Sequence, residues 1–221
     1  MCPMDQEVKL GAGKRRYDAS RRRAAAQQTR HAIVATARQQ FLERGYAATT
    51  MPAIAAAAGV ALDTVYASVG PKPALFRHLV EISISGAEEP VPALERDYVR
   101  EIRAQPDPRR KLELYARAMR LIHERLAPLF RVLRDAAQVD PELTALWEEI
   151  SQRRASNMRM FAAELAAAGD LREGISVHEA ADVIWATNSP EFFLLLVRER
   201  QWDLDRFESW LSATWIRLLL P

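Results

Sequence analysis

Between Thr49 and Lys72 the chain reads TTMPAIAAAAGVALDTVYASVGPK, with small, apolar and hydroxyl-bearing residues at the spacing that lets two short helices cross closely. The Thr50 hydroxyl can cap a helix, Met51 and Pro52 suit its first turn, and Gly59 can take the left-handed conformation that ends it. A second helix follows from about Leu62 to Ser68. Ala55 is small enough for the second helix to pack across the first, and Ile54, Val60 and Val65 supply apolar contacts that fix the angle. This is helix-turn-helix spacing, and its chemistry is hydrogen bonding and ion pairing to a DNA duplex rather than bond making. Sequence choice is expected from Ala61, Leu62, Asp63, Thr64 and Ala67, early in the second helix. Thr64 or Ala61 can touch a thymine methyl, and Asp63 can accept from a cytosine amino group. Asp63 has a second reading, as an acid in a first helical turn that favours the helix dipole.

Lys14, Arg15, Arg16, Arg21, Arg22 and Arg23 precede this segment. They form either an arm that reaches around a duplex or a solvated tail. The charge of the whole chain supports the former. Up to Val80 there are 12 Lys and Arg against 5 Asp and Glu, or +7, whereas the rest carries 19 against 24, or −5, so the net +2 hides a basic front and an acidic body. A phosphate-binding module joined to a regulatory one needs that division. Basic side chains grip DNA by displacing condensed counterions, which supplies affinity without sequence choice.

The flanks extend the pattern. Arg30, Ile33, Ala37, Phe41, Glu43, Gly45 and Tyr46 precede Thr50, Ile54, Ala55, Ala58, Gly59, Val60, Thr64, Val65 and Tyr66, and Lys72 and Leu75 follow. This ordered set, from about Arg30 to Leu79, resembles the DNA-binding domain of the tetracycline-repressor (TetR) family of bacterial transcription regulators. The resemblance implies that Tyr66 and Lys72 clamp phosphates, that the hydroxyls of Thr50 and Thr64 can donate beside them, and that the protein is a repressor. Tyr66 can also be read as a half-buried aromatic at the domain edge. Ala61, Asp63 and Val69 depart from the family's usual capping Ser or Thr, Gly and aromatic respectively, which leaves the contacts around Ala61 and Asp63 open.

The elements that must hold these side chains read as helices throughout. Gly is scarce, at 8 of 221 residues, hydrophobic residues make up 49%, and no alternating β-branched run occurs, so an all-α chain is expected, with an N-terminal three-helix helix-turn-helix domain and a helical C-terminal domain. Residues 1–23 are expected as a flexible basic arm, 24–80 as the DNA-binding domain and 81–221 as the effector-binding and dimerisation domain. Ser20 can cap an extended first helix, and Gly45 stops it. A fourth helix begins around Lys72, between Pro71 and Pro73, and movement between the domains is expected to pass through Glu81 to Glu89. Prolines then predict helices at about 93–103 and 109–125, with Pro128 opening a further short helix to Ala137. Asp140 before Pro141 opens a long helix that Gly169 ends, and Ser176 with Glu179 has capping-box spacing. Helices from Pro190 to Arg200 and from Asp203 to about Leu219 close the chain.

Leu204, Phe207, Leu211, Trp215 and Leu218 make one stripe on the last helix, while Trp210, Ala213 and Ile216 lie outside it. A helix apolar on more than one side needs a second partner. A homodimer through the C-terminal helices meets that need, closing into an intersubunit four-helix bundle and implying a palindromic operator. The alternative is that these residues only close the chain's own core. Candidate effector-pocket residues combine aromatic walls with a few polar groups: Tyr98, Tyr115, Met119, His123, Phe130, Trp147, Met158, Phe161, Trp185 and Asn188. Each can equally be ordinary core. They favour an unknown small-molecule effector of apolar or aromatic character. An architectural DNA-binding protein without an effector is the alternative function.

Catalysis is not expected. His31, His78, His123 and His178 are dispersed without metal-ligand spacing, Glu88-Glu89 and Glu148-Glu149 look like solvated helix faces, and no phosphate-cradling Gly loop occurs, so neither metal nor cofactor is anticipated. The single Cys2 removes any disulfide framework, no run reaches the roughly 20 apolar residues of a membrane span, and a cytoplasmic protein is expected.

Overall fold

The computed structural model describes residues 11–221, with side chains from residue 21 onward. Cys2, Lys14, Arg15 and Arg16 therefore lie outside what is described of the side chains. Among the described residues ten α-helices follow one another: α1 Gly11–Ala48, α2 Met51–Ala58, α3 Leu62–Val69, α4 Lys72–Ser85, α5 Asp97–Ala104, α6 Pro108–Ala137, α7 Pro141–Ala167, α8 Val177–Thr187, α9 Pro190–Phe193 and α10 Leu204–Leu219. Among the described residues there is no strand.

The front domain is built by α1 to α4. Ile33, Ala37, Phe41, Ile54, Val65, Leu75, Phe76 and Leu79 are fully buried at its centre. Three rings form its heart, Phe41 stacked on Tyr46 at 5.7 Å and Phe76 edge-on to both at 5.0 and 5.3 Å. Such pairs add about 1 kcal/mol each beyond area burial. Gly45, at φ 75° and ψ 175°, breaks α1 where the sequence predicts a stop.

The arm expected to be flexible is helical from Gly11, and the helix passes straight through Ser20. Residues 14–28 hold Ala, Arg and Gln in number with neither Pro nor Gly, and such residues propagate a helix once Ile33 and Ala37 anchor it. From 21 to 28 every side chain is exposed.

In the body α6 is the hub, packing on α1, α4, α5, α7, α9 and α10. Pro128 does not end it, contrary to the sequence expectation. A mid-helix proline removes one N–H and loosens the turn before it. Here the Arg125 carbonyl in that turn accepts from Arg38 Nη2 of α1 at 2.7 Å, and flanking residues on both sides are buried, which holds the helix continuous. The helix expected at 93–103 is two pieces, a 3-10 turn at Ala93–Glu95 and α5, separated by extended Arg96. The helix expected from Pro190 to Arg200 widens after Phe193 into a π-helical stretch, Leu194–Glu199. The predicted caps form: Asp140 accepts from the N–H groups of Glu142 and Leu143, and Ser176 and Glu179 close a reciprocal capping box. On α10 the buried stripe is Phe207, Leu211, Trp215 and Leu219, a strict four-residue repeat, so Leu218 turns outward at 39% exposure.

Candidate functional site

The axes of α2 and α3 make an angle of 104°, within the range of helix-turn-helix pairs. Thr50 caps α2 by accepting from Ala53 N, and Gly59 ends it in the left-handed conformation, at φ 68°. The turn is held by Val60 N donating to Ala55 O at 3.1 Å. Val65 and Val69 are buried while Ala61, Leu62, Asp63, Tyr66 and Ala67 are exposed and Thr64 is half-exposed, so α3 turns one face into the core and the expected reading face outward. The N-cap, Ala61, offers no side-chain hydrogen bond, which leaves the first N–H groups of α3 open to an anion. Arg30 of α1 fastens the other end of α3 by donating to the Ser68 carbonyl.

Around this face, Tyr66 is 46% exposed and Arg21, Arg22 and Arg23 are exposed on α1. Lys72 begins α4 with Nζ 4.0 Å from the centre of the Tyr46 ring. Partial burial lowers the Lys72 pKa and nearby Asp140 opposes that shift; burial pushes Tyr46 up to about 12. Lys72 is thus a cation poised against an aromatic face, with its three N–H donors still available to a phosphate.

Behind the front domain, α4 leads to a joint with α6. Arg38 Nη1 donates to Ser83 Oγ at 3.1 Å, and Arg125 Nε donates to the Ser83 carbonyl at 3.1 Å. Burial and their mutual repulsion lower the Arg38 pKa. Gly86 closes α4 at φ 71°, and a Cβ there would lie 2.7 Å from Arg125 Nη2. The residue types at 38, 83, 86 and 125 carried no signal in the single sequence, because a joint between distant segments has no periodicity of its own.

Beyond the joint lies a cavity of about 130 Å³ between α5, α6 and α7, reached by Ile84 at the end of α4 and by Asn188 at the end of α8. Seven of the residues expected from sequence line it: Tyr98, Tyr115, Met119, His123, Met158, Phe161 and Asn188. Phe130 and Trp147 do not. They pack on each other at 4.6 Å nearer the other end of α6, filling the contact with α7. Trp185 is also outside the lining, with Arg154 5.3 Å from its ring. An aromatic residue on a helix face signals burial alike in a wall and in solid core, which is why composition did not separate the two.

The polar side of the cavity is an ordered chain. Tyr115 Oη donates to Met158 Sδ at 3.0 Å, Asn188 Nδ2 reaches Tyr115 Oη at 3.2 Å, and His123 Nε2 lies 3.1 Å from Asn188 Oδ1. Burial, reinforced by the Arg154 charge, lowers the His123 pKa to about 4, so the ring is neutral at neutral pH. Burial likewise raises the Tyr115 pKa. Arg154, absent from the sequence expectations, donates from Nη2 to the carbonyls of Trp185 and Asn188 at 3.0 and 2.7 Å. At the rim Arg103 pairs with Glu164 at 2.9 Å.

Residues 33–79 match the model of bacterial regulatory proteins, tetR family. No curated protein matches the chain. Among solved structures, NalD of Pseudomonas aeruginosa, the secondary repressor of the MexAB-OprM multidrug efflux pump, is 24% identical over 88% of this chain and 98% of its own, with a TM-score of 0.67. A SmeT-triclosan complex is 21% identical over 88% and 92%, with a TM-score of 0.63. The flavonoid-responsive regulator FrrA is 27% identical over 88% and 98%, with a TM-score of 0.56. The first two likenesses are likenesses of fold.

Proposed function

We infer, from the match of residues 33–79 to bacterial regulatory proteins of the tetR family, that this chain is a cytoplasmic, dimeric repressor which binds a palindromic operator and leaves it when a small molecule occupies the body. One observation carries the reading. A single helix, α4, starts at Lys72 beside the DNA-reading face and ends beside Ile84, which lines the cavity. At about 1.5 Å per residue its 14 residues span some 20 Å, so a tilt driven from the cavity end moves the DNA end. A ligand shifts that equilibrium only as far as it prefers one tilt over the other.

The dimer is supported by what α10 and the stretch before it leave open. Leu195 and Leu218 are exposed, and the half-buried Trp210 stacks on Phe192 at 6.0 Å. A two-fold pairing of this surface sets two α3 helices about 34 Å apart, one turn of DNA. The triclosan held by SmeT and the flavonoid response of FrrA favour a largely apolar or aromatic molecule here as well.

Selection of bound duplexes from a random pool, followed by anisotropy titration at moderate salt, tests the reading. The expected outcome is one palindrome bound at least 100-fold more tightly than random DNA by a dimer. Equal affinity for all duplexes would leave an architectural DNA binder instead.

A further inference from the structure

The hydrogen-bond chain in the cavity wall has a direction that can be worked out. Met158 Sδ accepts only, so the Tyr115 hydroxyl proton goes to it, and Tyr115 Oη must then accept from Asn188 Nδ2. That fixes the amide, with Asn188 Oδ1 facing His123. His123 Nε2 therefore carries the proton, and Nδ1 is left as a bare acceptor. Nδ1 is buried and has no hydrogen-bond partner among the described residues. The His123 side chain is itself only 2% exposed and lines the cavity.

Arg154 supplies the complementary half. Its Nη2 is committed to two carbonyls at the end of α8, whereas its Nε and Nη1 donate to no group among the described residues. Among the described residues no carboxylate forms an ion pair with it, Glu191 acting on its charge only from farther off, although most of its surface is buried and it lines the same cavity. Asn188 joins the two, since its side chain binds His123 and its carbonyl binds Arg154. A buried acceptor lacking a donor and a guanidinium edge with N–H groups to spare thus flank one residue. The acceptor, His123 Nδ1, carries the desolvation penalty of an unmade hydrogen bond.

We propose that the cavity takes a flat apolar molecule bearing one hydroxyl, of the phenol or naphthol kind, whose O–H donates to His123 Nδ1 while its oxygen accepts from the free side of the Arg154 guanidinium. A carboxylate satisfies only Arg154, because its oxygens meet the Nδ1 lone pair with no proton to share. An ether satisfies only Arg154 as well. An unsubstituted ring satisfies neither. The apolar walls, Met119, Ile122, Met158 and Phe161 among them, suit the ring, and a cavity near 130 Å³ already accommodates a group about the size of benzene. Two fused rings need α5 to yield at the Arg103–Glu164 rim.

This ligand class rests on the effector reading above, and its test is kept separate from DNA release. Binding of 2-naphthol, 2-methoxynaphthalene, naphthalene and 2-naphthoate to the full-length protein is measured by calorimetry without DNA. 2-Naphthol is expected to bind at least tenfold more tightly than the other three. His123→Phe should erase that preference while leaving naphthalene binding within about threefold. With histidine labelled by nitrogen-15, 2-naphthol should move the acceptor nitrogen resonance of one imidazole in the wild-type protein, a readout that does not depend on the variant folding. Equal binding of 2-naphthol and its methyl ether, tightest binding by 2-naphthoate, no binding by any of the four, or an unmoved imidazole resonance each overturns the proposal. Tight, His123-dependent binding of 2-naphthol that leaves the operator complex intact upholds the ligand class and refutes the release mechanism.

Discussion

The front domain and the body solve the same packing problem to different degrees of completion. In the front, Phe41, Tyr46 and Phe76 interlock, Thr49 donates to the carbonyls of Gln40 and Gly45, and Gln40 Nε2 ties α1 to Ala53 of α2, while Gln40 Oε1 is buried without a partner among the described residues. In the body an equally aromatic core, with Trp215 stacked on Tyr115 at 5.2 Å, opens into a cavity whose wall keeps His123 Nδ1 unpaired. A filled core transmits strain and holds its shape, whereas one that opens into a void has room to rearrange when a ligand arrives. On the function proposed above, the DNA-binding part needs the first property and the effector-binding part the second.

The largest expected effect separates the two regions outright. Phe76→Ala removes the ring that contacts both other aromatics in the front and should cost about 3–5 kcal/mol there. Thermal unfolding should show the front melting first, with DNA binding lost and 2-naphthol binding kept within about threefold. Loss of both activities together would mean that the regions fold as one unit and that the contrast is one of packing only.

Acid should act mainly on the body. The folded-state pKa of His123 lies near 4 against an ordinary 6.5, so above pH 6.5 both folded and unfolded rings are neutral and stability is full. As pH falls from 6.5 to about 4 the unfolded chain takes a proton that the folded one resists, and stability drops by about 3 kcal/mol across that window. His78, lowered by burial and by Arg30, acts in the same sense in the front. The difference between wild type and His123→Phe in urea midpoint, measured from pH 7 to pH 4.5, should isolate the body's share. Parallel curves for the two proteins would remove His123 from the account.

The joint between the regions should respond more mildly. Gly86→Ala forces a side chain into positive φ and against Arg125 Nη2, which should cost about 1–2 kcal/mol. The informative readout is coupling. DNA affinity and ligand affinity measured separately should each stay within about threefold, while the ligand's effect on DNA affinity should shrink, because Arg125 no longer grips the Ser83 carbonyl from α6. Undiminished coupling would move the lever away from α4.

How legible these regions were in the sequence follows from the same contrast. The helix-turn-helix is local: Thr50 caps, Gly59 turns and Val65 packs within some twenty residues, so residue type and spacing were enough to place the two helices and the exposed face of α3. The caps at Asp140 and Ser176 were legible for the same reason. Pro128 misled because whether a proline ends a helix depends on Arg38, 90 positions earlier, reaching the loosened turn. The cavity was half legible, since helical periodicity marks burial but does not tell Phe161 at the wall from Phe130 packed against Trp147. Arg154 was missed because an arginine in a helix reads as solvated, and only the fold brings it under the end of α8.

Asp63 should give the smallest effect and the clearest division between two physical roles on the reading face itself. It lies in the first turn of α3, whose N-cap Ala61 makes no side-chain hydrogen bond, and it is exposed. If its carboxylate only complements the helix dipole, Asp63→Ala should lower stability by about 0.5 kcal/mol and weaken every duplex alike. If it accepts from a cytosine amino group, the variant should lose about 1 kcal/mol of discrimination at one position in each half-site and keep the rest of the operator's sequence profile. Removing a negative charge from a surface facing phosphates also raises non-specific affinity, which works against the loss at the operator. Profiles taken for both proteins at two salt concentrations separate these contributions, because the charge effect varies with salt across all sequences and the base contact stays confined to its position.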